Sequence, residues 1–321
     1  MKISNWILAS ILACTCVSAS AQESKKEEPK GKAIVQVFGN FHSGFGHANN
    51  DRGFELDRSY LGYQYDLGKG LQIKGVMDIG QSDDVNDYHR IAYIKNAQIS
   101  WKTGNLTLNG GLISTTQFNM QEKFWGYRYI MKSFQDLYKF GNSADLGISA
   151  TYKFTDWLSA DAIVVNGEGY KKVQKNDGLQ YGLGATIEPF KGLTLRAYYG
   201  LNEGADETKE DIQNLATFIG LKMNWFSLGA EYNKIWNASY IKGSDYNGFS
   251  IYTSAQLNKK TEMYLRYDDC SKGDQHAFIG GVQWKLGKYV KVSPNFRMNF
   301  SDNDGANSET YMGYISCYFG F

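Results

Sequence analysis

Apolar and polar residues alternate along most of this chain in short segments. In residues 192–201, for example, Leu193 and Leu195 share one face, whereas Thr194 and Arg196 share the other. A period of two residues is that of a β-strand, because successive side chains point to opposite faces of a sheet. The pattern predicts sixteen strands, at residues 33–42, 53–66, 71–80, 90–102, 105–114, 144–154, 157–166, 178–189, 192–201, 213–225, 226–236, 247–258, 260–270, 275–286, 289–300 and 309–321.

The connections between these strands alternate in length. Short turns such as 67–70 and 103–104 alternate with longer polar stretches such as 43–52 and 81–89. Short periplasmic turns and long external loops are typical of outer-membrane barrels, whose tilted strands of about ten residues cross the bilayer. No segment with a helical period is available to cover the apolar faces. We therefore expect an all-β, transmembrane, antiparallel barrel with lipid outside and water inside.

Two strands depart from the simple alternation. In the fourth strand, Lys95 shares a face with Trp101 and other apolar residues, which indicates a β-bulge or a strand end above the lipid. In the second strand, Glu55 and Asp57 share a face with Leu61. That pattern indicates a strand that descends from external water into lipid.

The first residues have the features of a secretory signal. Lys2 is followed by a short apolar core at 6–17 and by an A-x-A cleavage site that ends at Ala21. An uncleaved anchor and a lipoprotein signal at residues 11–14 are the alternatives. The charged stretch that follows is typical of a flexible lead-in. The predicted organisation is a signal peptide at 1–21, a periplasmic N-terminal tail at 22–32 and a transmembrane β-barrel at 33–321.

Charge and cysteine content narrow the function further. The sequence has 34 Lys and Arg residues against 33 Asp and Glu residues, and loss of Lys2 with the signal leaves 33 of each. This balance gives no indication of nucleic-acid binding. Cys270 and Cys317 remain after cleavage and fall at opposite ends of a wall about 25 Å tall. A disulfide needs Cα atoms within about 7 Å, so we expect two free thiols.

The alternation stops between residues 115 and 143. This stretch is polar, aromatic and mixed in charge, and residues 130–139 have the spacing of about two helical turns. In the strand count it is the third external connection, between the fifth and sixth strands. Long connections of this kind are uncommon and are usually functional.

The last strand, the strand count and the long third connection together resemble the Gram-negative outer-membrane porins. Residues 309–321 alternate apolar side chains and end in Phe321, as in the assembly signal of such barrels. Residues 57–62 and the run 95–101 with 104–108 also resemble the early hairpins of the phosphate-selective porin family, apart from Asp57 and Asn96. The resemblance implies a homotrimer in the outer membrane of a Gram-negative bacterium, in contact with membrane lipid and lipopolysaccharide.

The resemblance also implies that residues 115–143 fold into the lumen and that their acidic side chains face arginines of the wall. Arginine stays protonated and presents a rigid fork of donors to an anion, and rings of charge set the selectivity of pores. An external loop packed on a neighbouring loop or subunit is the alternative. The candidate constriction residues are Glu122, Lys123, Arg128, Lys132 and Asp136 in this segment and Arg58, Arg196, Arg266 and Arg297 in the wall.

The function expected from these features is passive diffusion of small hydrophilic solutes and ions, without catalysis, cofactor or metal. A channel specific for phosphate or oligosaccharide is the first alternative, with a sugar track along Tyr198, Tyr252, Tyr264, Tyr314 and Tyr318. An outer-membrane barrel enzyme is the second. It would need a catalytic pair that includes one of the four histidines, which are His42, His47, His89 and His276.

Overall fold

The structure is a computed structural model that describes residues 30–46, 50–81, 90–174, 178–301 and 309–321. The predicted signal peptide, His47 and His89 lie outside these residues. Sixteen strands are present in the described part of the chain: β1 Lys30–Phe45, β2 Arg52–Gly68, β3 Leu71–Gly80, β4 Ile91–Thr103, β5 Leu106–Ser114, β6 Ala144–Lys153, β7 Leu158–Val165, β8 Gln180–Ile187, β9 Leu193–Asn202, β10 Ile212–Lys222, β11 Phe226–Trp236, β12 Tyr246–Gln256, β13 Thr261–Cys270, β14 Gln275–Lys285, β15 Val290–Ser301 and β16 Thr310–Gly320.

The strands form one closed antiparallel barrel. Each strand pairs with its neighbours in the sequence, and β1 pairs with β16 to close the wall. The closing register runs from Gln36 opposite Gly320 to Phe45 opposite Tyr311. Closure leaves no unpaired sheet edge, which is the condition for a sheet in hydrocarbon. The predicted sixteen-stranded barrel is confirmed, and β1 begins at Lys30, three residues before the predicted strand.

The two faces of the wall differ as the alternation predicts. Outward side chains are apolar and exposed, for example Leu183 at 68% and Ile148 at 62% of their surface. Their neighbours along the strands, such as Ser149 and Gln180, point inward and are buried. Among the described residues, no helix is both long and apolar enough to cross a membrane.

Two β-bulges change which side chains face the lumen. Phe38 pairs with Arg58 and Gly39 with Leu56, so Asp57 is an extra residue in β2. Asn40, which is buried, donates hydrogen bonds to Asp57 at 2.7 Å and to the neighbouring carboxylate of β2. The expectation that Glu55 and Asp57 lie on the outward face is therefore wrong, because the bulge places both acids inside and Leu56 outside.

The second bulge is at Lys95. Val76 pairs with Asn96 and Met77 with Ile94, which leaves Lys95 as the extra residue of β4. Ile94 is 59% exposed, whereas Asn96 is buried. The bulge predicted for this strand is confirmed, and it turns the Lys95 ammonium into the lumen.

The two remaining cysteines are free thiols, as expected. Cys270 is the last residue of β13, next to a connection on the long-loop side. Cys317 lies in β16, opposite Gly39 of β1 and Val292 of β15.

Candidate functional site

Residues 115–143 pack against the inner surface of the barrel, mainly on β9 to β16, and also reach β1 and β2. They contain two short helices, α1 Asn119–Trp125 and α2 Phe134–Leu137. Trp125 lies 5.5 Å from the ring of Tyr252 on β12, and Tyr127 stacks at 4.4 Å on Tyr264 of β13. These contacts bury apolar surface, which drives association without fixed direction. We call residues 115–143 the segment. Its aromatic residues therefore attach it to the wall.

Glycines in the wall make room for this packing. A Cβ atom at Gly220 of β10 would lie 2.5 Å from the ring of Phe124, and one at Gly229 of β11 would lie 3.1 Å from the same ring. With glycine at both positions, the centre of the Phe124 ring lies 5.1 Å from the centre of the Phe218 ring. The backbone of β10 and β11 is thus close enough to the segment that a larger residue would displace it.

Three wall arginines attach to the backbone of the segment. Arg196 donates to the carbonyl oxygen of Thr116, Arg266 to that of Lys132, and Arg297 to that of Ile130, each at 2.7 Å. Carbonyl groups in a non-helical stretch need partners when they are buried. Donation by a charged group is roughly twice as strong as donation by a neutral one. These arginines are therefore anchors of the segment.

Two of the anchors are held in place by buried carboxylates. Arg196 makes two hydrogen bonds to Asp161, at 2.7 and 3.0 Å. Arg266 makes two to Asp268, at 2.7 and 2.6 Å, and both of these side chains are almost fully buried. A two-point contact fixes the plane of the guanidinium group and aims its remaining donors at the segment.

The acids of the segment pair with a base of the same segment. Arg128 lies 3.3 Å from Glu122 and 2.8 Å from Asp136. Burial acts to raise the pKa of the Asp136 carboxyl, but Arg128 and Lys132 outweigh burial and hold that pKa below its ordinary value of 3.8. The expected arrangement, with these acids facing wall arginines, holds only for Arg58, which lines one cavity together with Asp136. The other three wall arginines bind carbonyl groups of the segment instead.

Open space remains on the other side of the lumen, beside β1 to β4. A cavity of about 590 Å³ lies toward the short turns and is bordered by Lys74, Lys95 and Lys123. A second cavity, of about 300 Å³, lies toward the long connections. Ser143 borders both cavities. We call the first the turn-side cavity and the second the loop-side cavity.

The boundary between the two cavities is made of charged and phenolic groups. Arg58 and Asp136 line the loop-side cavity, and Tyr60 and Arg128 line the turn-side cavity. Arg58 pairs with Asp78 at 3.1 Å and donates to the Tyr60 hydroxyl at 3.2 Å. Of the nine candidate residues, the structure brings Arg58, Glu122, Lys123, Arg128, Lys132 and Asp136 to this open side. Arg196, Arg266 and Arg297 lie under the segment instead.

Sequence reasoning missed several residues of the open side. Lys95 was assigned to the outward face, although an ionisable group among apolar residues was itself a signal of a bulge. Tyr170, from the connection between β7 and β8, reaches across to donate a hydrogen bond to Asp78 and packs edge-on against Tyr93 at 6.4 Å. Nothing in the sequence pattern points to that contact, since it joins residues far apart in the chain.

The same geometry bears on the two alternative functions, which are an enzyme and a sugar channel. His42 lies 3.3 Å from Asp51 and His276 lies 3.1 Å from Asp269, near the strand ends that carry the long connections. In the part of the chain that is described, no cluster of His, Cys, Asp and Glu could hold a metal ion. Three tyrosines of the proposed sugar track are buried rather than open to the cavities, namely Tyr198, Tyr252 and Tyr264.

Solved structures with a similar fold are outer-membrane proteins. Salmonella typhi OmpF in complex with daunomycin aligns with a TM-score of 0.67 at 11% identity, over 91% of this chain and 97% of that one. An anion-selective porin from Comamonas acidovorans aligns with 0.66 at 15% identity, over 92% and 100%. The trimer form of in-vitro-folded OmpT of Vibrio cholerae aligns with 0.60 at 14% identity, over 92% and 100%. At these identities the likeness shows the fold.

A family model identifies the chain more specifically. The model of the Gram-negative porins matches residues 8–306, which is most of the sequence. No match was found among curated protein sequences. The family implies a place in the outer membrane, in agreement with the lipid-facing barrel wall. This protein belongs to the Gram-negative porin family.

Proposed function

We propose that this porin lets small hydrophilic solutes and ions diffuse passively through the open side of its lumen. The supporting observation is the pair of adjoining cavities beside β1 to β4, which meet at Ser143. Residues 115–143 pack mainly against β9 to β16 and leave this route beside them as the narrowed passage. Its borders are charged and polar side chains, which replace part of the hydration of a passing solute.

The same proposal assigns no catalysis, cofactor or metal to the protein. Several inward charges lie in pairs, such as Arg58 with Asp78 and Lys285 with Glu262. Pairs of this kind give a hydrated wall that is close to neutral. For the enzyme alternative, alanine at each of the four histidines should leave conductance unchanged. Hydrolase activity that is lost in one of these variants would favour that alternative.

Export and assembly follow the family resemblance. We propose cleavage of the signal peptide after Ala21, a short periplasmic tail, and insertion among outer-membrane lipid and lipopolysaccharide. A homotrimer is proposed because the similar Vibrio cholerae protein has been solved in a trimer form. Native electrophoresis and the mass of the mature chain test these two points.

Deletion of the segment tests its role in narrowing the pore. We expect the variant that lacks Met120–Lys139 to conduct more current per channel in a planar lipid bilayer, because this stretch packs inside the barrel and occupies part of the lumen. The control is heat-modifiable migration in electrophoresis, which reports a folded barrel. A folded deletion variant whose conductance equals that of the wild type would contradict the proposed constriction.

A channel for oligosaccharides has less support in this geometry than a general pore. Aromatic platforms for sugar rings must be accessible, and three of the five tyrosines considered are buried, two of them under aromatic rings of the segment. Specificity for phosphate or a related anion would depend instead on the cationic side chains that border the turn-side cavity.

A further inference from the structure

Three cationic groups converge on a single neutral oxygen at the boundary of the two cavities. The Tyr60 hydroxyl lies 3.2 Å from Nη1 of Arg58, 3.2 Å from Nζ of Lys95 and 3.3 Å from Nη2 of Arg128. A hydroxyl oxygen has two acceptor lone pairs. Three donors therefore exceed its capacity, and at least one charged donor at this point lacks a full acceptor.

Arg128 has unused donor capacity as well. Its side chain is only 13% exposed, and its Nε atom is buried without a hydrogen-bond partner in the described structure. A buried donor of this kind costs free energy unless something accepts from it. A bound anion would accept hydrogen bonds from these donors and so supply the acceptors that the site lacks.

Three lysines extend this positive region into the turn-side cavity. Lys74, Lys95 and Lys123 all border it, and the second and third act electrostatically on the first. Among the described residues, no carboxylate lies within ion-pair distance of any of the three. The acidic side chain at the border of this cavity is that of Glu122, which pairs with Arg128.

The position of Lys95 depends on the bulge in β4. With regular alternation along β4, its side chain would point to lipid on the same face as Ala97 and Ile99. The extra residue turns it inward, where its ammonium lies 4.7 Å from the Tyr60 ring and close to the other cations. Bulges commonly re-aim a side chain next to a functional site. The like-charged cluster is thus built by a specific local distortion.

We propose that Lys74, Lys95, Lys123 and Arg128, together with Tyr60, form a binding subsite for small multivalent oxyanions in the turn-side cavity. Sulfate, phosphate and di- or tricarboxylates share the required chemistry, which is several charged oxygens within a compact ion. The subsite makes passage of such anions saturable. This inference rests on the proposed diffusion function, because an anion must reach the subsite through the pore.

The experiment measures chloride current through the full-length protein in planar bilayers, with sulfate added in one arm and citrate in the other. We expect both ions to reduce the chloride current in a saturable way. Lys74→Gln and Lys95→Gln should each weaken this inhibition about tenfold, which corresponds to about 1.4 kcal/mol of binding free energy. Lys259→Gln is the matched control, because Lys259 is an exposed lysine in the turn between β12 and β13 and borders neither cavity. It should not change the inhibition.

The outcomes separate this inference from the diffusion proposal. Inhibition by sulfate alone would assign the subsite to inorganic oxyanions, and inhibition by citrate alone would assign it to carboxylates. A channel that conducts chloride without inhibition by either ion would overturn the subsite and leave passive diffusion intact. The subsite is also overturned if Lys259→Gln weakens inhibition as much as the two cavity variants. A folded protein without any conductance would refute the diffusion proposal itself.

Discussion

Replacement of Arg266 by methionine separates two roles of this side chain. The guanidinium group pairs with Asp268 inside the wall and donates to the carbonyl oxygen of Lys132 in the segment. It also lies 5.0 Å from the ring of Trp125. Methionine has a similar length and no charge, so it removes the ion pair and the tether without leaving a large cavity.

The burial of both side chains sets the size of the expected loss of unfolding free energy. Arg266 is 1% exposed and Asp268 is 0% exposed. Loss of one partner from a buried pair costs about 3–5 kcal/mol of unfolding free energy, because the other charge stays buried without compensation. The lost hydrogen bond to Lys132 adds about 1.5–3 kcal/mol, which weakens the attachment of the segment. Replacement of both charges, as Arg266→Met with Asp268→Leu, should recover part of the first cost, because Ser250 then loses its acceptor on Asp268, and none of the second.

The assay therefore has two readouts. Urea unfolding in lipid vesicles should show a large loss of stability in the single variant and a smaller one in the double variant. Single-channel recording should show increased current fluctuation in both variants, since both lack the tether to the segment. The reasoning is refuted if the double variant is no more stable than the single one, or if the fluctuations disappear in the double variant.

Two further predictions concern the attachment of the segment. Gly220→Ala should displace the rings of Phe218 and Phe124 and cost about 1–3 kcal/mol of stability, measured by thermal unfolding. Gly75→Ala is its control, because a Cβ atom there meets no atom within 4 Å, and an equal loss in both variants would contradict the packing argument. The pairing of Asp136 with Arg128 should persist on acidification, since burial is outweighed by the positive charges and the folded pKa lies below 3.8. The stabilising contribution of this pair is complete above pH 3.8 and is lost only as the pH falls through the lower pKa of the folded protein. Conductance is measured against pH in the wild type and in Asp136→Asn. A change above pH 3.8 in the wild type that is absent from Asp136→Asn would show that the direction of the pKa shift is wrong.

Much of the wall was predictable because each strand carries its own information. A period of two residues assigns faces locally, and the bilayer fixes the strand length and forces closure. The alternation of short and long connections then orders the strands without knowledge of distant contacts. The thiol prediction followed in the same way, because Cys270 and Cys317 are placed by strand direction alone.

The bulges show where local reasoning is insufficient. One extra residue reverses the faces of everything on one side of it, so a single bulge moved Asp57 inside. The sequence shows that Lys95 interrupts an apolar face, but it does not show whether the side chain points into the lumen. Whether a strand end leaves the lipid or a bulge turns the side chain inward depends on the pairing with β3.

The sequence by itself determined the barrel, its strand count and the position of the long third connection, because these follow from periodicity and from the constraint that hydrocarbon places on backbone groups. Only the tertiary structure decided the partners of the charges inside. Arg266 and Arg297 hold the backbone of residues 115–143, while Arg128 holds the acids of its own segment. The physical reason is that a guanidinium group binds whichever acceptor the fold brings within about 3 Å, and these acceptors come from parts of the chain that are far apart in sequence.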